Sequence, residues 1–198
     1  MNNLKENKVI VAVCSGSGLI PVSVVVALDR LELPPKSGKI FFGRQMIDQS
    51  RNDAAEFALA KGATHLMFID DDQLFDADIV MRLLEANTDI ACAPVVSRMG
   101  KDQLNLFDND LKRTKDYDKV YACGMGLTLV KCTVLKELVD KFKYPFQFAT
   151  YEHNGENKKI SEDLMFCIRA QMADYNVKAV QGIKTGHIGD NIVYYYED

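Results

Sequence analysis

The sequence predicts an α/β fold with a mostly parallel sheet and helices on both faces. Short β-branched apolar runs alternate along the chain with longer segments whose apolar residues recur at helical spacing. A length of 198 residues suits one domain and is too short for two large ones. We therefore expect a single domain over residues 1–198, with a ligand-binding half at about 8–98 and a second half at about 120–198.

The first elements form a strand, helix and strand. Val9–Val13 is a continuous apolar run and predicts a buried strand that enters a Ser/Gly turn at 14–18. A helix is predicted over Leu19–Leu31, since Pro21 is tolerated in a first turn. Two prolines at 34–35 end it before the strand Lys39–Phe42.

The same alternation continues to the end of the first half. The apolar spacing predicts a helix over Met46–Ala60, and Gly62 suits its C-terminal cap. A buried strand at His65–Ile69, a helix at about Ala77–Ala86 and a strand at Asp89–Ala93 follow.

The segment Lys101–Lys119 interrupts this pattern. It is charged, rich in Asn and Asp and without a clear period, so we expect an exposed excursion outside the core, ordered by a ligand. Beyond it, the pattern predicts strands at Val120–Cys123, Leu127–Val130 and Val177–Val180, and helices at Thr133–Phe142 and Glu162–Ala173.

Charge and cysteine content exclude several classes of protein. The net charge is -4 and no long Lys/Arg run is present, so we expect no nucleic-acid partner. No apolar stretch approaches the ~20 residues that span a bilayer, and the polar start is unlike a signal peptide. We therefore expect a cytoplasmic protein, of a bacterium or a virus-infected cell. Five scattered cysteines predict reduced core thiols, which leaves oxygen ligands for any metal.

The clearest chemical feature is the acidic run at 70–72, directly after a buried strand. In extended backbone Asp70 and Asp72 point the same way, and their mutual repulsion favours a divalent cation beside them. Mn²⁺ or Mg²⁺ commonly binds one or two carboxylates together with substrate phosphates. A solvated acidic turn ahead of a helix remains an alternative.

The turn at 15–18 follows the first strand, so Ser15 and Gly16 are candidates for cradling a phosphate or a base. Pro21 stands where the third glycine of a dinucleotide fingerprint belongs, and the Gly-Lys-Ser/Thr of a P-loop is absent. The pattern therefore also fits a plain strand-to-helix turn near the ligand edge.

Five segments in order resemble the GT-A glycosyltransferases related to family 2. They are Ser50-Arg-Asn52 followed by an Ala-rich helix and the D-x-D at 70–72, Cys123-Gly-Met-Gly126, Pro145-Phe146, the Glu-Asp pair at 162–163, and Gly186-His-Ile-Gly189. The resemblance covers most of the chain. It implies a metal-dependent transferase with a Rossmann-like GT-A fold, a nucleotide-diphosphate-sugar donor, a hydroxyl-bearing acceptor such as a glycan, and inversion at the anomeric carbon.

The resemblance also implies roles for individual residues. Asp70 and Arg51 would lie at the donor nucleotide, with Gly124 and Gly126 in the glycine segment beside it. Asp72 and His187 would bind the metal together with Asp70. The catalytic acid/base segment would be Glu162 and Asp163, with Asp163 as the base.

Each of these residues also has a structural interpretation. Ser161 can cap a helix whose first turn favours acids, Arg51 can pair with Asp48 or Asp53 on the surface, and His187 can be a loop residue.

Two further functions fit the same residues. A metal-dependent nucleotidyltransferase also pairs carboxylates with a cation, but it commonly carries a basic residue near its first turn, and no Lys or Arg adjoins residues 15–18 in sequence. A non-catalytic sugar-nucleotide-binding module needs the D-x-D segment and has no use for a positioned base.

Overall fold

The computed structural model describes residues 4–97, 103–153, 156–189 and 193–196. The strands in these ranges are β1 Val9–Ser15, β2 Gly38–Gly43, β3 His65–Asp70, β4 Gln73–Phe75, β5 Ile90–Cys92, β6 Leu106–Phe107, β7 Ala122–Cys123, β8 Leu127–Lys131, β9 Ala149–His153, β10 Glu156–Ile160, β11 Val177–Ala179, β12 Thr185–Ile188 and β13 Val193–Tyr196. The helices are α1 Val22–Arg30, α2 Ile47–Ala60, α3 Ile79–Glu85, α4 Cys132–Phe142 and α5 Glu162–Gln171, with 3₁₀ turns at Leu4–Glu6 and Tyr117–Lys119. None of the helices in the described part of the chain has the length and apolarity to cross a bilayer.

A six-stranded sheet in the order β11-β5-β8-β3-β1-β2 forms the centre of the molecule. Strands β3, β1 and β2 pair in parallel, as do β11 and β5. β8 lies between β5 and β3 and is antiparallel to both. The predicted mostly parallel α/β sheet is therefore confirmed, with one strand inserted in the opposite direction.

Helices cover both faces of this sheet, as predicted. In β1, Ile10 and Ala12 lie in the core that α2, α4 and α5 cover. The alternate residues Val9, Val11 and Val13 lie in the core beneath α1 and α3. Because successive side chains of a strand point to opposite faces, a strand buried on both sides is apolar at every position, which is why β1 is a continuous apolar run.

In the described part of the chain, three small sheets lie outside the central one. β4, β12 and β13 form an antiparallel sheet, and β6 pairs with β7 and β9 with β10. No element was predicted for these segments, except that β7 falls in the strand predicted at Val120–Cys123. The first of these sheets matters most for function, because it brings residues 73–75 and 185–188 together.

The expectation that residues 101–119 form an exposed excursion is wrong in part. Residues 101 and 102 lie outside the described ranges, but Leu104 and Leu106 are buried in the core, with 3% and 0% of their surface exposed. The backbone of Asn105 bonds to Val95 and Gly124, which fixes this part of the segment beside the end of the sheet. The segment as a whole is polar and charged, so these two leucines were not recognised as core residues from the sequence.

All five cysteines are buried free thiols, in agreement with the sequence analysis. Burial raises the pKa of Cys14 to about 12, so this thiol at the end of β1 stays neutral.

Candidate functional site

The site candidates gather at the carboxyl edge of the central sheet. β1 ends at Ser15 and β3 at Asp70, in adjacent parallel strands. β8 runs the other way, so its amino end meets the same edge, and the amide of Asp70 donates to the carbonyl of Gly126 over 3.0 Å. The inserted antiparallel strand thus places the glycine segment directly against the acidic segment.

A buried ionic group, here called the arginine cluster, consists of Arg51, Asp70 and Glu162. Arg51 on α2 is only 3% exposed. Its Nη2 lies 3.1 Å from Asp70 Oδ1, and its Nη1 donates to Glu162 Oε1. The sequence interpretation of Arg51 as a surface partner of Asp48 or Asp53 is wrong, since both of its carboxylate partners come from other elements.

The electrostatics of the arginine cluster reflect its burial. Burial lowers the pKa of Arg51, but the neighbouring Asp70, Glu162, Asp163 and Cys14 together raise it above its ordinary value, so the guanidinium remains charged. Burial raises the pKa of Glu162, and Arg51 offsets this only in part. Glu162 is 5% exposed and committed to Arg51, so it is poorly placed to exchange protons with an acceptor.

A second group, here called the histidine cluster, consists of Asp72, Gln73 and His187. The carbonyl of Asp72 accepts the amide of Ile188, and Gln73 stands opposite His187 in the β4–β12 pair. His187 Nε2 lies 3.4 Å from Asp72 Oδ2, and Gln73 Nε2 donates to Asp72 Oδ1 over 2.8 Å. His187 therefore belongs to a strand and is 8% exposed, unlike the loop residue that the sequence allowed.

The backbone selects the tautomer of the neutral His187 ring. Its Nδ1 lies 2.7 Å from the carbonyl oxygen of Val96, which can only accept, so Nδ1 carries the hydrogen. In the neutral ring Nε2 then presents a lone pair toward Asp72. This is the orientation in which a histidine binds a metal, with its other nitrogen held by a carbonyl.

The donor set fits one hard divalent cation. Octahedral Mg²⁺ or Mn²⁺ with ligands at about 2.1 Å has neighbouring ligand atoms about 3 Å apart, close to the Asp72–His187 separation. Within the ranges described, no three His, Cys, Asp or Glu side chains are arranged as a metal cage. Such a cation would therefore depend on water, phosphate or other oxygen ligands for the rest of its shell.

The acidic turn differs from its predicted geometry. Residues 71 and 72 form a turn between β3 and β4, so the backbone is not extended from Asp70 to Asp72. Each carboxylate also accepts from its own donor, Asp70 from Arg51 and Asp72 from Gln73 Nε2. Repulsion between the two is therefore relieved in part by the protein itself.

Asp163, the second residue of α5, is held through one of its carboxylate oxygens. Its Oδ1 accepts the amide of Leu164 over 2.7 Å and the hydroxyl of Ser161. Its Oδ2 faces Gly124, where a Cβ would lie 3.5 Å away. Ser161 occupies the N-cap position of α5, but its hydroxyl bonds the Asp163 carboxylate and makes no bond to a backbone amide. It therefore orients Asp163 rather than capping the helix as the sequence suggested.

One small cavity of about 60 Å³ joins these groups. Its polar or glycine lining consists of Asp70, Gln73, Asn105, Gly124, Gly126, Asp163 and His187. The volume holds an ion and a few waters but not a nucleotide. Five of the predicted site residues therefore line this cavity. Arg51, Glu162 and Asp72 do not line it, but each contacts a neighbouring residue of the arginine or histidine cluster.

Asn52 and Phe146, from two other segments of the predicted motif, are joined to each other. The Asn52 side chain accepts from the Phe146 amide over 3.1 Å and donates to its carbonyl over 2.8 Å. The Phe146 ring stacks on Phe166 of α5 with centroids 4.2 Å apart and meets Phe68 of β3 edge-on at 5.2 Å. This packing fixes α5, and with it Asp163, against the strand that carries Asp70.

Ser15 and Gly16 lie beside this site, outside the cavity. The Ser15 hydroxyl donates to the Leu19 carbonyl and accepts from the Gly18 amide, so it holds the turn together. Gly16 is exposed. Arg44, which the sequence analysis did not consider, folds over this turn, where its Cγ would lie 2.9 Å from a Cβ at Gly18. The turn at 15–18 therefore has a basic neighbour in the folded protein, although none adjoins it in the sequence.

Two polar side chains that line the cavity, Gln73 and Asn105, were not predicted from the sequence. Gln73 is 2% exposed and touches Asp72, and only its pairing opposite His187 reveals its place. Asn105 stands beside Gly124 and accepts from Arg113 Nη1 over 2.8 Å. The one available signal for Asn105 was its position between two leucines at alternate spacing, as in a strand with one buried face.

Comparison with known proteins supports the fold. No protein-family model and no curated protein matches the sequence. Among solved structures, A197 from STIV matches with a TM-score of 0.65 at 17% identity, over 96% of this chain and 95% of that one. A 4-diphosphocytidyl-2C-methyl-D-erythritol synthase from Anaerococcus prevotii DSM 20548 matches with a TM-score of 0.48 at 12% identity, over 91% and 89%. At these identities the first match shows a shared fold, and the second adds nothing further to the assignment.

Proposed function

We propose that this protein is a metal-dependent glycosyltransferase that moves a sugar from a nucleotide-diphosphate-sugar donor to an acceptor hydroxyl. The observation that carries the proposal is the meeting of Asp70, Asp163 and His187 around one cavity, although they are far apart in sequence. A carboxylate for the donor, a carboxylate with one oxygen free to face a substrate, and an imidazole beside Asp72 are the groups that such a reaction needs.

The proposed reaction is a direct displacement. The acceptor oxygen forms a bond to the anomeric carbon, the bond from that carbon to the diphosphate breaks, and the nucleoside diphosphate leaves with the electron pair. Asp163 Oδ2 accepts the proton of the acceptor hydroxyl, while the Ser161 and Leu164 hydrogen bonds hold Oδ1 in place. Displacement from the opposite side inverts the anomeric carbon.

Asp72 and His187 would hold the Mn²⁺ or Mg²⁺ ion, at the separation described above. When bound, the ion neutralises the charge that accumulates on the departing diphosphate. Asp70 is held by Arg51 at the rim of the cavity, where it orients the donor without carrying an uncompensated charge.

The cavity has room for only part of the donor, so the nucleotide would lie along the open edge beside residues 15–18. Ligands bind at this edge in open α/β sheets, beyond the carboxyl ends of the strands. Arg44 over the turn supplies a cation for the diphosphate.

The test begins with the donor. A panel of nucleotide sugars with Mn²⁺ is screened for the one that raises the melting temperature, since a ligand that binds the folded state stabilises it. Transfer, or slow hydrolysis with water as acceptor, is then measured for that donor. Asp163→Asn keeps the size of the side chain and removes its basicity, so turnover should fall ~10²- to 10⁴-fold with donor affinity nearly intact.

Asp78→Asn is the matched control, because Asp78 also begins a helix but is exposed and outside the cavity. Turnover in Asp163→Asn equal to that of Asp78→Asn would refute the proposed base. Loss of turnover in Glu162→Gln alone would transfer that role to Glu162. Donor binding without any turnover in the wild-type protein would identify a binding module.

Arg44 favours one alternative, a nucleotidyltransferase, for which a basic residue at the first turn is the expected phosphate contact. The two reactions differ in their products. Glycosyl transfer releases a nucleoside diphosphate, whereas nucleotidyl transfer from a nucleoside triphosphate releases pyrophosphate. Release of pyrophosphate with a sugar phosphate as co-substrate would replace the glycosyltransferase proposal by this one.

A further inference from the structure

Gln73 is a buried polar residue for which the proposed reaction has no role so far. It begins β4, directly after the acidic turn, and is 2% exposed. It stands opposite His187 in the antiparallel β4–β12 pair, and both side chains line the cavity. Residues directly opposite in such a pair have neighbouring side chains on one face of the sheet.

Its hydrogen bonds define which way the amide points. Nε2 donates to Asp72 Oδ1 over 2.8 Å, and an oxygen in that position would instead repel the carboxylate. Oε1 is therefore assigned to the other side of the amide, where it is buried and has no hydrogen-bond partner within the part of the chain that the structure describes. A buried carbonyl without a partner is unfavourable, and each such group calls for an explanation.

The atoms next to Gln73 indicate what kind of ligand could bind its oxygen. Asp72 Oδ2 has no hydrogen to donate, and His187 Nε2 presents a lone pair in the neutral ring because Nδ1 bonds Val96. Gln73 Oε1 is a third acceptor on the same small group of side chains. Gln73 and His187 line the same cavity and stand opposite each other, and Gln73 also bonds Asp72. A carboxylate oxygen, an imidazole nitrogen and an amide oxygen are all electron-pair donors of the kind that bind a divalent cation.

We propose that Gln73 Oε1 is a ligand of the divalent cation, together with Asp72 and His187. This inference rests on the proposed function for the presence of the cation and adds a residue to its site. Gln73 Nε2 at the same time fixes the orientation of the Asp72 carboxylate, so one side chain supplies a ligand and positions another. Mg²⁺ and Mn²⁺ accept amide oxygens, and their remaining positions are commonly filled by water and substrate phosphate.

The experiment is a titration of the purified protein with Mn²⁺, in which free Mn²⁺ is followed by electron paramagnetic resonance. Gln73→Leu removes both the oxygen and the donor and should weaken Mn²⁺ binding ~10- to 100-fold. Gln73→Glu loses the donor to Asp72 but keeps an oxygen and adds a charge, so it should bind Mn²⁺ at least as tightly as the wild type.

Gln45→Leu is the matched control, because Gln45 Nε2 also donates to a carboxylate, that of Asp53, over 3.1 Å, but away from the cavity. It should leave Mn²⁺ affinity unchanged. Circular dichroism in EDTA establishes that each variant is folded. If Gln73→Leu does not fold, Gln73→Asn is used instead. Its side chain is one methylene shorter, so the amide is withdrawn, and the same loss of Mn²⁺ affinity is expected.

Two outcomes would overturn the inference. Wild-type affinity in Gln73→Leu would show that the amide oxygen is not a ligand, and equal losses in Gln73→Leu and Gln73→Glu would show that Gln73 only donates to Asp72. The proposed function fails differently. If Mn²⁺ binding depends on Gln73 but no nucleotide sugar stabilises the protein, the cation site is supported and the proposed glycosyltransferase activity is refuted. If the wild-type protein binds no divalent cation, both proposals are refuted.

Discussion

The arginine cluster and the histidine cluster lie behind the same cavity but differ in how their charges are balanced. In the arginine cluster a buried guanidinium contacts two carboxylates, so the protein supplies both signs of charge, and the one buried atom of these three side chains without a partner among the described residues is a donor, Arg51 Nε. In the histidine cluster a carboxylate faces an imidazole and an amide, and the buried Gln73 Oε1 has no partner in the part of the chain that the structure describes.

This difference indicates a division of labour. A buried ion pair that is complete within the protein is costly to break, because removing one partner leaves a charge in a poorly solvated place. A set of electron-pair donors gains most when a cation arrives from solution. The arginine cluster therefore connects α2, β3 and α5 as part of the fold, and the histidine cluster is the part that we expect to respond to ligands.

The largest effect should come from breaking the arginine cluster. Arg51→Met leaves Asp70 and Glu162 without their cation, and we expect a loss of about 3–5 kcal/mol in the free energy of unfolding, measured with urea. Arg30→Met, at the exposed end of α1, should change it by no more than about 0.5 kcal/mol. Equal stability of the two variants would show that the cluster does not support the fold.

Breaking the histidine cluster should instead affect only the metal-bound protein. Asp72→Asn retains an acceptor for Gln73, so unfolding in EDTA should be unchanged. With Mn²⁺ at 100 times its dissociation constant the wild type should gain about 3 kcal/mol, and the variant should lose that gain. Calorimetry of the exposed control Asp76→Asn should match the wild type; an unchanged Mn²⁺ affinity in Asp72→Asn would remove Asp72 from the site.

A histidine outside both clusters, His65, should make the stability of the fold depend on pH. His65 faces Lys131 across the β3–β8 pair, and burial together with that lysine lowers its pKa to about 4. The unfolded chain, with a histidine pKa near 6.5, therefore binds more protons between these values, and the stability of the folded state falls as the pH drops through that window.

With allowance for residual solvent contact, we expect His65 to account for about 2 kcal/mol of stability lost between pH 7 and pH 4. Urea unfolding at several pH values should show a shallower decline in His65→Gln. A decline as steep as that of the wild type would assign the acid sensitivity to other groups.

The sequence predicted the central elements well, because local pattern decides them. β1 and β3 are apolar at consecutive positions since both faces are covered, and Gly62 adopts a φ of +60° at the end of α2, where glycine is favoured. β4 and β12 were missed, because strands of three and four residues owe their existence to each other and not to their own composition.

The site was predictable to the extent that its residues have strong local signatures. Asp70 and Asp163 stand in acidic motifs, and the structure places both at the cavity. Arg51 and Glu162 have equally strong signatures, but only the long-range contact between them distinguishes a buried ion pair from surface charges. The sequence allowed His187 to be a loop residue, yet a Cβ at the neighbouring Gly186 would lie 3.0 Å from the Tyr195 ring, so close packing between strands favours glycine there.

The long-range contacts around the cavity also constrain when the site can form during synthesis of the chain. The hydrogen bond from His187 to Val96 joins residues 91 positions apart, and the Arg51–Glu162 contact joins residues 111 positions apart. Contacts of such separation form late, because closing long loops costs entropy before the contact repays it. A nascent chain can thus complete β1, β2 and β3 on the ribosome before Asp72 and His187 meet, so the proposed cation site would form only after residue 187 has emerged.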